Sequence, residues 1–84
     1  MKIFKRIGTV TIIITDRINQ SARVNEILTK HADIIIGRMG LPYFSKKINI
    51  ICLIVNGSTD QLGSLAGQLG SIEGIQVKSV VAKV

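Results

Sequence analysis

An α+β fold in the order βαββαβ is predicted by three observations on the residues alone. Val24, Ile27, Leu28 and His31 stand at i, i+3, i+4 and i+7, and Leu62, Leu65, Ala66 and Leu69 repeat that spacing in the second half of the chain. Positions so spaced share one face of a helix. Each stripe is flanked on both sides by runs of Ile, Val and Thr that read as strands. With 84 residues, these elements are expected to form one domain over 1–84, without linker, tail or second domain. Their compact arrangement is a four-stranded antiparallel sheet with both helices on one face, the ferredoxin-like fold, because right-handed crossovers in each half leave few other topologies.

The elements follow in order. Ile7 to Thr15 is the first strand, and Asn19 is the expected N-cap of a helix running to about His31. Lys30 and His31 fall in its last turn, where the helix dipole favours positive charge. Ala32-Asp33 breaks the pattern, Ile34 to Met39 forms a second strand, and Gly40 and Pro42 punctuate a turn. Lys46 to Val55 is the third and most apolar strand. Ser58-Thr59-Asp60-Gln61 has the spacing of a capping box and opens the second helix. Gly70 is the expected left-handed C-cap, Glu73-Gly74 a turn, and Ile75 to Val81 the fourth strand. Gly63, Gly67 and Gly70 each cost about 1 kcal/mol relative to Ala in a helix, which predicts tight packing on the sheet or on a neighbour.

Composition narrows the role. The chain carries a formal charge of +6 yet is 46% hydrophobic, and only 4% of it is aromatic. A domain this small buries roughly 60% of the surface its unfolded chain exposes, so its own core is marginal. In the third strand Ile48, Ile50, Cys52 and Ile54 oppose Ile51, Leu53 and Val55, and in the first Val10, Ile12 and Ile14 oppose Thr9, Thr11, Ile13 and Thr15. The face away from the helices is therefore apolar where a solvated sheet would turn polar, and a second subunit is expected to cover it. Lys2, Lys5, Arg6, Lys46, Lys47, Lys78 and Lys83 supply positive charge, but the first and third strands contain no aromatic residue on which bases could stack. Without a helix-turn-helix either, specific nucleic-acid binding is not expected. The apolar runs Ile12–Ile14, Ile34–Ile36 and Ile50–Val55 fall far short of the roughly 20 residues that span a membrane. The basic start of the chain lacks the apolar core of a signal peptide, and a lone Cys52 agrees with a reducing compartment, so a cytoplasmic location is expected.

Chemistry is sparse. His31 and Cys52 are the only His and Cys, too few for a metal site that needs three or four ligands. The acids Asp16, Glu26, Asp33, Asp60 and Glu73 are scattered, and no base is spaced to activate a Ser or Cys nucleophile. No phosphate-loop lysine follows the glycines of the second half. Neither an enzyme nor a cofactor is expected. The distinctive segment is Gly37-Arg38-Met39-Gly40-Leu41-Pro42-Tyr43, in which the glycines permit close backbone approach and Arg38 offers a five-donor fork for a carboxylate or phosphate. Gly37, Arg38, Met39, Gly40, Pro42 and Tyr43 are the candidate ligand or contact residues, read against a strand end and turn with a solvated Arg.

Through Ile35-Ile36 and that heptapeptide, and onward through Ile50 to Val55, Asp60, Leu69-Gly70 and Gly74 to Lys78, the chain resembles the small regulators assigned to iron-only hydrogenase systems. That family is related to ACT domains and to the C-terminal domain of the nickel-responsive regulator. The resemblance implies a dimer or tetramer that senses a small molecule at subunit interfaces, or acts through a partner protein, rather than touching DNA. It also implies an effector site near the loop after the first strand, which adds Asp16 and Arg17 to the candidates, although the glycine common in that loop is missing. The His and Cys ligands of the nickel regulator have no counterpart set here. The rival expectation is an adaptor whose apolar face serves only to assemble.

Overall fold

A computed structural model describes residues 5–43 and 45–82, apart from the side chain of Arg17. Lys2 and Lys83, named above, lie outside the described residues. The elements are β1 (Arg6–Ile14), α1 (Arg17–Lys30), β2 (Ile35–Tyr43), β3 (Ile48–Gly57), α2 (Thr59–Gly70) and β4 (Ile75–Val81), with a short 3₁₀ turn over Ala32–Ile34. The four strands form one antiparallel sheet in the order β2-β3-β1-β4, the ferredoxin-like arrangement predicted from the order of elements.

Strand periodicity builds the core. Val10, Ile12 and Ile14 of β1 stand opposite or beside Leu53, Ile51 and Ile75, and all six side chains face the helices as one alternate set. Val24 and Leu28 of α1, Leu62, Leu65 and Leu69 of α2, Ile34 and Ile72 complete the cluster. Both helical stripes thus point inward, Ile27 and His31 at the half-buried margin of theirs and Ala66 at that of the other.

Several element ends differ from the sequence expectation, each for a local reason. The N-cap of α1 is Asp16, whose carboxylate accepts from the Asn19 backbone N–H at 3.3 Å and from Asn19 Nδ2 at 2.9 Å. Asn19 is the third helical residue, not the cap: a carboxylate three residues upstream outcompetes its amide for the orphan donors. At the other end His31 Nδ1 donates to the Ile27 carbonyl at 2.8 Å. The capping box of α2 is as expected, with Ser58 N–H donating to Gln61 Oε1 and Gln61 N–H to Ser58 Oγ. Gly70, however, does not enter the left-handed region. Ser71 caps α2 in right-handed geometry, its N–H donating to Gly67 O and its Oγ to Gln68 O. The left-handed glycine is Gly74, at φ +83°, whose carbonyl accepts from the backbone N–H and the hydroxyl of Thr15 and so ties the α2–β4 turn to the end of β1.

Gly40 and Pro42 do not form a turn. The second strand runs on through both to Tyr43, and the reversal lies beyond it, where Lys47 takes φ +56°. An edge strand tolerates Pro because its missing N–H costs a ladder bond only if it faces the neighbour, and β2 is the edge. A bulge between Ile35 and Gly37 shifts the register of β2 on β3. Of the two expectations for the helix glycines, packing on the sheet is not met: a Cβ on Gly63, Gly67 or Gly70 would meet nothing within 4 Å outside its own stretch of helix, which leaves contact with a neighbour.

These positions separate two kinds of glycine. Gly74→Ala is expected to lower unfolding free energy by about 1–2 kcal/mol, the cost of left-handed backbone with a Cβ. Gly63→Ala is expected to raise it by about 0.5–1 kcal/mol, because an open helical site gains propensity without a clash. Urea unfolding followed by circular dichroism reads both, and a destabilised Gly63→Ala would show that α2 is covered by a neighbour.

Candidate functional site

Alternation along β2 divides the distinctive heptapeptide between two faces of the sheet. By register Gly37, Met39, Leu41 and Tyr43 oppose Ile54, Cys52, Ile50 and Ile48, whereas Arg38, Gly40 and Pro42 oppose Leu53, Ile51 and Asn49 on the helix side. Arg38 and Tyr43 therefore do not border one site. They belong to different surfaces.

On the helix side the C-terminal half of β2 and the first half of α1 border an open recess of about 270 Å³. Arg38, Gly40 and Pro42 line it from β2, Ser21 and Asn25 from α1, and Asn49 from β3, over a floor that includes Ile14 and Ile51. The polar groups are arranged in two pairs. Arg38 Nη2 donates to Asn25 Oδ1 at 2.6 Å, and Asn49 Nδ2 donates to Ser21 Oγ at 3.1 Å. Asn49 Oδ1 is buried and accepts no hydrogen bond from any of the described residues. The sole ion pair among the described residues is Lys30–Glu26 at 4.0 Å, so Arg38 is steadied by a neutral amide and keeps an uncompensated charge. Four of its five donors remain for another acceptor.

The other surface is the open face of the sheet. Its β2–β3 half presents Met39, Leu41, Tyr43 and Ile54, between 45% and 69% exposed, beside half-buried Ile48, Ile50 and Cys52. Its β1–β4 half is mixed, with Thr9, Thr11, Gln76 and Lys78 beside Ile7 and Val80. Asp16 caps α1 and does not line the recess. Among the described residues there is no cluster of three or more His, Cys, Asp or Glu, and no helix is long and apolar enough to cross a membrane.

Ser21, Asn25 and Asn49 were not singled out by sequence reasoning. A signal existed for one of them: Asn49 is a lone carboxamide between Ile48 and Ile50 in the most apolar strand. Ser21 and Asn25 are one helical turn apart but look like ordinary solvated positions, and only the fold sets them over Arg38 and Asn49.

Comparison with known proteins sharpens the family but not the ligand. The solved structure of the uncharacterized protein TM1266 from Thermotoga maritima is 37% identical to this chain, with a TM-score of 0.90 over 94% of this chain and 99% of the other. The ACT domain of GTP pyrophosphokinase from Chlorobium tepidum superposes with a TM-score of 0.71 at 18% identity, over 90% of this chain and 86% of the domain. A "putative PII-like signaling protein" of Thermus thermophilus gives 0.59 at 15% identity, over 98% and 92%. These last two likenesses concern the fold alone. No curated protein matches the chain significantly. Residues 6–79 match the model of the TM1266-like family, described as "Iron-only hydrogenase system regulator, putative", and the chain therefore belongs to that family.

Proposed function

We propose that this protein is a non-enzymatic regulatory domain that self-associates through the β2–β3 half of its open sheet face and responds to a small molecule. The observation that carries the reading is that apolar half-face. Met39, Leu41, Tyr43 and Ile54 would be an aggregation hazard on an isolated chain, since large exposed apolar patches in small proteins are ordinarily covered. The half-face contains no Lys or Arg, although the chain carries a formal charge of +6. A second copy can therefore approach it without like-charge contact at the centre, and a two-fold arrangement makes the same patch complementary to itself. The family description and the ACT and PII-like folds support a regulatory role.

Regulation in such an assembly works by population shift. A ligand bound more tightly in one assembly state stabilises that state in proportion to its differential affinity. Nothing in this scheme requires the chain to touch DNA, and its sheet lacks the aromatic platform by which other domains of this topology stack bases.

Light scattering on a sizing column tests the assembly. The wild-type chain is expected to elute as a dimer or tetramer. Leu41→Lys, which places a charge at the centre of the half-face, is expected to give monomer with the circular dichroism of the folded chain. A wild-type monomer at high micromolar concentration overturns the reading, and an unaltered oligomer of Leu41→Lys moves the contact to another surface.

A further inference from the structure

We infer that open-face dimers of this chain join into a tetramer through the outer edge of β4, which pairs antiparallel with β4 of a second dimer about a two-fold axis at Ser79. The inference rests on the face-to-face contact proposed above. It adds a second contact and fixes its register.

The two edges of the sheet are finished differently. β2 carries the bulge between Ile35 and Gly37, then Gly40 and Pro42, all of which discourage a further strand. β4 is paired with β1 alone and runs from Ile75 to Val81 without a proline, a glycine or a register shift. Ile75, Val77, Val80 and Val81 are β-branched, and Val80 and Val81 stand exposed at its end.

The ladder shows which backbone groups of β4 are free. Thr15 N–H donates to Gly74 O, and Ala82 N–H to Ile7 O. Antiparallel ladders alternate, so Gln76, Lys78 and Val80 turn their backbone groups to β1, while Ile75, Val77, Ser79 and Val81 turn theirs outward. Ile75 N–H is taken by Ile72 O at 3.3 Å, which leaves Val77, Ser79 and Val81 with both groups free among the described residues.

These groups and one charge select the register. Antiparallel pairing of β4 with its own copy about a two-fold places one residue opposite itself. An axis at Lys78 sets two ammonium groups face to face, which is unfavourable. An axis at Val77 spends pairing on Ile75, whose N–H is already taken. An axis at Ser79 pairs Val77 with the partner's Val81 and Ser79 with the partner's Ser79, using every free group, and sets Lys78 across from the partner's Val80. Lys78, which discourages indiscriminate pairing of an edge, here excludes the register centred on itself.

The helix above leaves the edge accessible. α2 packs over β4, and on its α1 side Gln68 and Ser71 share a groove with Arg23, Glu26 and Lys30. The opposite flank, toward the outer side of β4, carries Gly63, Ala66 and Gly70, spaced as one helical face. No long side chain on that flank obstructs a second sheet edge or the α2 above it. A few residue pairs bury far less than the ~1,200–2,000 Å² of a stable interface, so a single edge does not hold two chains together. A face-to-face dimer whose axis runs across the strands carries both β4 edges on one side, and the two engage a second dimer together.

The test is amide hydrogen exchange by NMR on the isotope-labelled full chain at high micromolar concentration, with the mass read by light scattering on the same samples. The wild type is expected to be a tetramer in which the N–H groups of Val77, Ser79 and Val81 exchange as slowly as those of Gln76, Lys78 and Val80. On a free edge they exchange roughly tenfold faster or more. Ser79→Pro removes only an outward N–H, and its ring blocks the approach. It is expected to give a dimer in which Val77 and Val81 lose protection while Lys78 and Val80 keep theirs. Ser79→Lys, which sets like charges together at the axis and leaves the β1 ladder intact, is expected to give the same dimer. Fast exchange at Val77, Ser79 and Val81 in the wild type overturns the edge contact, as does a tetramer that survives Ser79→Lys. A wild-type dimer removes the edge contact and leaves the open-face contact standing, whereas a Leu41→Lys dimer that keeps Val77 and Val81 protected does the reverse.

Discussion

The two-residue period of β1 at the middle of the sheet governs the rest of the molecule. Both neighbours pair with it, β3 along its whole length and β4 from Gly8 onward, so its phase sets theirs. Val10, Ile12 and Ile14 are at most 2% exposed and receive both helices on one side. A slip of one residue would turn every one of them to the open face, and the helices would meet Thr9, Thr11 and Ile13 instead. The same phase dictates what is left uncovered. With both helices used on one face, no described element covers the alternate residues of β3, and because these are mostly aliphatic the open face inherits an apolar half.

Much of this was legible in the residues. Period two and period 3.6 are strong signals, and the helix stripes and the opposing faces of β1 and β3 were read from them correctly. The capping box at Ser58 and the turn at Gly74 were equally plain, since each depends on side-chain or backbone chemistry local to a few residues. The errors share a cause. Asn19 lost the cap to Asp16, and Gly70 gave way to Ser71, because neighbouring residues compete for the same orphan groups and composition does not rank them. Gly40 and Pro42 were read as a turn because those residue types break central strands. Whether they break an edge depends on which strand is the edge, a tertiary fact.

The candidate site shows the same boundary between local and tertiary information. Arg38 stood out because an Arg between glycines is conspicuous. Its partners did not, because Asn25 is thirteen positions away and becomes its neighbour only when α1 crosses over β2. Asn49 and Ser21 are farther apart still, at twenty-eight positions. Tyr43 was grouped with Arg38 by adjacency in the chain, and the pleat separates them. Seven consecutive residues of a strand cannot present all their side chains to one ligand, so a conspicuous segment in a sheet generally marks two surfaces.

That division has a mechanical consequence for the proposed regulation. Arg38, Gly40 and Pro42 face the recess while Met39, Leu41 and Tyr43 face the proposed contact, and all six are carried by one edge strand that is paired on one side only. An edge strand with an interrupted ladder, here at the bulge between Ile35 and Gly37, yields more easily than a central one. Any shift of the strand toward α1 at Arg38 carries the Met39 and Leu41 side chains with the same backbone, because neighbouring residues on a pleat cannot shift independently. Coupling of this kind is reciprocal: if a contact on the helix side of β2 favours one assembly, that assembly favours the contact by the same factor. No relay through the core is needed, since the two surfaces are opposite sides of a single strand.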